Sequence, residues 1–188
     1  MEPVTNRDLM FWRRLDTPGH DACRVERRES GWRLEGTAVF LHDGTPARLD
    51  YRVACDRAWR STEGEVSGWL GERPVGYRIA RTPAGAWILD EAAVPGLDGI
   101  VDLDYGFTPA TNLLAIRRLA LAEGQSAEAP AAWLDVAAGM LVLLPQRFAR
   151  RGEARIWYEA PSVGYAAELE VTPLGFIRRY PGLWEEES

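Results

Sequence analysis

Alternation with a period of two is the feature that most constrains what this chain can become. Trp32, Leu34, Ala38 and Phe40 share one parity, and Arg33, Glu35 and Thr37 hold the other. After Asp43-Gly44, the residues Ala47, Leu49, Tyr51, Val53 and Cys55 alternate with Arg48, Asp50, Arg52 and Asp56. Successive strand side chains point to opposite faces, so each run reads as a strand with one buried face. Asp-Gly takes the positive backbone angles of a tight hairpin turn, which predicts that the two runs pair antiparallel.

The same pattern recurs down the chain. Val75, Tyr77 and Ile79 alternate with Gly76, Arg78 and Ala80; Ala154, Ile156 and Tyr158 with Arg155, Trp157 and Glu159; Tyr165, Ala167, Leu169 and Val171 with Glu168 and Glu170. Thr82-Pro-Ala-Gly85 and Thr172-Pro-Leu-Gly175 punctuate the runs, and Phe176 to Tyr180 reads as the last strand. The expected class is all-β, a single domain over residues 1–188, with helix confined to short pieces near Thr108 to Leu113 and at the N-terminus. One apolar and one charged face per strand suits a sheet wrapped around an interior.

Composition narrows the partners. The net charge is −6, which argues against nucleic acid, since phosphate binding needs a basic surface. All 22 Lys and Arg positions are arginine, whose planar fork engages carboxylates, phosphates or sugar hydroxyls. No apolar run reaches membrane-spanning length and Met1 to Trp12 lacks the apolar core of a signal peptide. The expectation is therefore a cytoplasmic chain with no membrane insertion, whose Cys23 and Cys55 are reduced. Eight Trp and six Tyr suit either aromatic girders in a packed core or a pocket with apolar walls and a wet mouth.

Polar, geometry-fixing groups concentrate between Val101 and Leu119. Asp102 and Asp104 share a parity opposite Leu103 and Tyr105, and Thr108-Pro109 reads as a helix start, with threonine as N-cap and proline in the first turn. A strand reading of the following residues puts Arg117 with Leu119 and Leu121 on one face, Ile116 and Arg118 on the other. Arg117 is then the buried arginine, and its loss would leave a buried carboxylate unpaired. Either the Asp and Arg groups pair and lock a crossover, with Asn112 serving turn backbone, or they line a cavity and bind a polar head group.

This segment, Asp102-x-Asp104-x-x-x-Thr108-Pro109-x-Thr111-Asn112-x-Leu114-Ala115-Ile116-Arg117-Arg118-Leu119, resembles the signature of a bacterial family described as "putative glycolipid-binding". Further matches are Tyr51-x-Val53-x-Cys55-Asp56-x-x-Trp59, Gly85-Ala86-Trp87 and Tyr180-Pro181-Gly182-Leu183-Trp184, so the resemblance spans Trp12 to Trp184. The family usually has proline where this chain has Ala115, a residue that would stop a helix before Ile116. The resemblance implies one strongly curved antiparallel sheet, a half-barrel or β-roll, similar to carriers that hold acyl chains in a concave apolar surface.

The leading expectation is non-enzymatic binding of an amphiphile, a glycolipid or other acyl-bearing molecule, inside the rolled sheet. Its expected ligand residues are Tyr51, Trp59, Tyr77, Asp102, Asp104, Thr111, Asn112, Arg117, Arg118 and Tyr158. The alternatives are a hydrolase using Asp102 or Asp104 as acid or base, and an interaction module whose interior is filled by side chains. No cofactor is expected: there is no glycine-rich phosphate loop and no Gly-x-Ser-x-Gly elbow. His20 and His42 read as loop residues beside turns, too few for a metal site.

Overall fold

A computed structural model describes residues 9–188. The expected hairpin is β3 (Gly31–His42) against β4 (Thr45–Asp56), paired antiparallel from Gly31 opposite Asp56 to His42 opposite Thr45. Asp43 and Gly44 carry φ of 50° and 77°, the two positive angles such a turn needs. The strand before it is β2 (Gly19–Arg28); those after it are β5 (Ser61–Leu70), β6 (Arg73–Arg81), β7 (Trp87–Leu89) and β8 (Ala92–Val94). Each pairs with its neighbour in sequence, so the register of every strand is set by the turn before it.

The C-terminal half forms a second meander, β13 (Arg147–Gly152), β14 (Arg155–Ala160), β15 (Tyr165–Val171), β16 (Ile177–Tyr180) and β17 (Trp184–Glu186). β1 (Leu9–Arg14) lies between β2 and β17 and joins the halves. With β10 (Ser126–Glu128) on the far side of β13, the result is one 14-stranded sheet edged by β10 and β8. It curves but does not close into a barrel. Register shifts at Ala54/Cys55, Arg150/Gly152 and Glu170/Val171 supply bends, because an extra residue on one strand kinks it.

The hollow of the curved sheet is occupied. A small sheet of β9 (Asp102–Tyr105), β11 (Ala131–Asp135) and β12 (Met140–Leu144) lies there with α1 (Asn112–Leu119). Ser61 bonds it to β5, its amide donating to the Val101 carbonyl (2.9 Å) and its hydroxyl accepting from the Leu103 amide (3.1 Å). Gly64 makes room for the contact: a Cβ there would meet Leu103 Cδ2 and the Tyr105 hydroxyl at 2.4 Å each. Trp12, Leu34, Leu49, Val66, Tyr105, Leu113, Leu114, Phe148 and Phe176 are among the buried side chains that merge both sheets and the helix into one core.

Several finer expectations need correction. The large sheet is the expected curved antiparallel one; in the small sheet β9 and β11 run parallel, a pairing that needs a long crossover, and α1 lies in it. The helix does not begin at Thr108-Pro109. Thr108 Oγ1 accepts the Ala110 amide (3.0 Å) in a preceding turn, and Thr111 is the N-cap. Nor does the helix yield to a strand at Ile116. Ala115 has the amide proton and lacks the ring that would stop it, so α1 runs through Arg117 and Arg118 to a left-handed cap at Ala120. The last strand is β17 rather than Phe176 to Tyr180, and residues 9–14 of the N-terminal region are strand rather than helix; residues 1–8 lie outside the described part. His20 and His42 sit on strands, near their ends, not in loops.

Candidate functional site

The signature segment is a polar cluster inside the core. Asp102 and Asp104 share a face of β9, as the parity implied, and look toward α1. Asp102 takes a bidentate pair from Arg118, Nε at 2.8 Å and Nη2 at 2.6 Å. Burial still holds its carboxyl above the usual range, with Arg118 opposing. Asp104 accepts from Thr111 Oγ1 (3.0 Å) and, at longer range, Gln146 Nε2 (3.4 Å). Desolvation is the main cause that raises its carboxyl to about 6. Tyr158 donates to Gln146 Oε1 (2.7 Å), so the C-terminal meander is tied to the same cluster. The Asn112 side chain is buried beside them, and its Nδ2 has no hydrogen-bond partner among the described residues.

Arg117 is not the arginine that pairs. Its guanidinium lies over the Trp59 ring at 5.3 Å, and its buried Nε has no hydrogen-bond partner among the described residues. The strand reading also parted the two arginines but buried the wrong one; the helix, turning about 100° per residue, brings Arg118 to Asp102 and Arg117 to Trp59. Trp59 in turn stacks on Trp32, centroids 4.3 Å apart. It sits at φ 65°, a costly angle for a bulky residue. The turn that holds it is tied by Asp56 Oδ1, which accepts the Ala58 and Arg60 amides at 2.8 and 2.9 Å. Beside Trp32, a hollow of about 290 Å³ is lined by Arg27, Arg28, Glu29, Gly31 and Arg57.

Tyr51 belongs to a separate buried trio. Its hydroxyl donates to Asp21 (2.9 and 3.0 Å), and the Thr108 hydroxyl also donates to that carboxylate. Asp21 is fully buried with no cation paired to it among the described residues, and desolvation lifts it to about 7 against those two hydroxyl bonds. The sequence held the signal: Asp21 shares the buried parity with Cys23 and Val25. Tyr77 stands apart, half-buried and donating to the Val136 carbonyl (3.0 Å). Of the ten expected ligand residues, Asp102, Asp104, Thr111, Asn112, Arg118 and Tyr158 thus meet in or around one cluster; Arg117 and Trp59 pair elsewhere; Tyr51 and Tyr77 belong to neither group.

A long concavity lies on the other face of the sheet. Register aligns Phe11, Ala22, Thr37, Asp50, Ser67 and Gly76 in one row across β1 to β6, a floor of mostly small residues. Leu9, Arg24, Glu35, Arg52, Glu65 and Arg78 make the next row. Arg24 and Arg52 both pair with Glu35, and Arg52 reaches Glu65 at 3.3 Å, so the row is an ion-pair ladder. On the opposite flank stand His20, Val39, Arg48 and Trp69, with Val39 50% and Trp69 38% exposed. At one end Phe11 stacks on His20, and Glu186 to Ser188 close the side. The trough encloses about 980 Å³. Strands lie about 4.8 Å apart, so the five strands β1 to β5 give it a length of about 19 Å.

Among the described residues, no helix is long and apolar enough to cross a membrane. No curated protein matches the chain. A crystal structure of a DUF1089 family protein from Pseudomonas aeruginosa superposes with a TM-score of 0.77 at 29% identity, covering 88% of this chain and 90% of that one. The family described as "Putative glycolipid-binding" matches residues 9–186, every residue placed in the two sheets and the helix. The chain belongs to that family.

Proposed function

We propose that this protein binds an amphiphile with a sugar head and an acyl tail, without turnover, in the trough across β1 to β5. The observation that carries the reading is the two-sided character of that groove. One wall is the Arg24–Glu35–Arg52–Glu65 ladder; exposed Leu9 and Phe11 give the lining its apolar part, and Val39 and Trp69 stand exposed one row beyond it on the same face. Paired charges offer donors and acceptors to sugar hydroxyls, and apolar side chains left in water favour an alkyl chain. Each buried CH₂ contributes about 0.8 kcal/mol, against association costs of several kcal/mol. The family description points the same way.

In this reading the signature cluster is scaffold. Asp102 and Asp104 are nearly inaccessible, and Asp102 is already paired with Arg118. A hydrolase would need one of them open to substrate. The polar groups instead fix α1 and β9 inside the curve of the sheet, which supports β5 from below.

The test is titration of octyl glucoside below its micelle concentration, beside glucose and octanoate, read by tryptophan fluorescence. The alkyl glycoside should bind more tightly than either part. Ser67→Tyr, an exposed floor position, should abolish binding while leaving the melting midpoint unchanged. Equal binding by that variant would overturn the trough as the site.

A further inference from the structure

We propose a second ligand site, distinct from the trough, in the hollow at the β2–β3 turn: it takes a sugar that carries a phosphate, with the phosphate between Arg27 and Arg57 and the ring against Trp32. The hollow of about 290 Å³ is lined by Arg27, Arg28, Arg57, Glu29, Gly31 and Trp32. Arg28 is answered by Glu26, so Arg27 and Arg57 stand against the one lining carboxylate, Glu29, a local excess of positive charge in a chain whose net charge is −6. The trough wall shows the contrast, since its arginines alternate with glutamates one for one.

The donors are largely unspent. Arg57 gives one Nη2 bond to the Glu29 carbonyl (3.1 Å), which orients its fork at the turn. Arg28 pairs with Glu26, a carboxylate that also serves Arg24. Arg27 has no ion pair among the described residues. A guanidinium offers five N–H donors in a plane that matches phosphate oxygens in pairs, so Arg27 and Arg57 together leave ample capacity for one phosphate. Bringing like charges together is unfavourable until an anion neutralises them.

Trp32 supplies the second half of the recognition. It stands opposite Arg27 in register and lines the hollow. Its ring is held by stacking on Trp59, which is held in turn by Arg117 and by the strained turn around Asp56. Backbone strain in a bulky residue persists only where surroundings enforce it, and such positions concentrate at binding sites. A fixed indole beside a cluster of forks offers a flat apolar surface next to an anion site, which matches the ring and phosphate of one sugar phosphate.

The probes are glucose 6-phosphate, inorganic phosphate and glucose, titrated by calorimetry against the full chain at low ionic strength. Glucose 6-phosphate should bind, inorganic phosphate at least about tenfold more weakly, and glucose more weakly still. Arg27→Gln with Arg57→Gln, both on exposed positions, should weaken glucose 6-phosphate by at least about tenfold with the melting midpoint unchanged. Ser67→Tyr in the trough should leave it unchanged, which separates failure here from failure of the amphiphile reading. Three results overturn the proposal: no heat with glucose 6-phosphate, equal affinity in the double variant, or inorganic phosphate binding as tightly as the sugar phosphate.

Discussion

At the scale of single residues, two neighbours on α1 illustrate how backbone geometry assigns roles. Arg118 forks onto buried Asp102, whereas Arg117 lies on Trp59. Removing one partner of a buried pair strands the other, so Arg118→Ala should cost about 3–5 kcal/mol. Arg117→Ala should cost about 1–2 kcal/mol, the worth of a partly desolvated cation–π contact. Urea denaturation of both variants checks the order; a larger loss at Arg117 would contradict the pairing seen here. Asp21 gives the pH dependence. Its folded value near 7 lies above the ordinary 3.8, so between those values the folded chain holds a proton that the unfolded chain releases. That contribution favours folding at low pH and is lost as pH rises through about 7. Asp104, lifted to about 6, acts in the same direction over a lower window. Thermal melts should therefore show Asp21→Asn gaining stability relative to the parent between pH 5 and pH 8. A parent and variant with parallel pH profiles would rule this out.

At the scale of elements, hairpins were legible and the helix was only half so. Trp32 to Cys55 declare their pairing because a period of two and an Asp-Gly turn leave a single register. The segment Asn112 to Leu119 is short, and its arginines fit either a strand or a helix until packing decides. The candidate site was legible as a group of polar residues, but whether they face ligand or core depends on what fills the curve of the sheet. Nothing local to Asp102 tells that β9 lies beneath Gly64. The trough was hidden for a related reason: Ala22, Thr37, Asp50, Ser67 and Gly76 are unremarkable in sequence and become a row only through four successive registers. Gly36 tests how closely these elements approach. A Cβ there would meet the Tyr51 hydroxyl at 2.4 Å and the Ala22 carbonyl oxygen at 2.5 Å. Gly36→Ala should cost about 1–3 kcal/mol through forced displacement and should loosen the Tyr51–Asp21 bond. Calorimetry reads the first effect. The second appears as a shifted pH profile, and an unaltered midpoint would mean the strands have slack there.

At the scale of the molecule, the two meanders meet at β1, which bonds β2 on one side and β17 on the other. Trp184 is buried and Trp12 is fully so, donating its indole N–H to the Ile177 carbonyl at 2.6 Å. Ending the chain after Leu183 removes the Trp184 side chain and uncovers one edge of β1 together with one of β16. Loss of a buried tryptophan alone costs about 3–5 kcal/mol, so this truncation should abolish the cooperative melt seen by circular dichroism. A sharp transition in the shortened chain would show that the halves fold independently of the seam. The position of β1 also has a consequence for biosynthesis. The first strand described waits for the last, so a ribosome must release almost the whole chain before the seam can zip. Until then Phe11 and Trp12 travel on a half-paired strand with an open edge, the state in which a nascent chain most needs a chaperone's shelter.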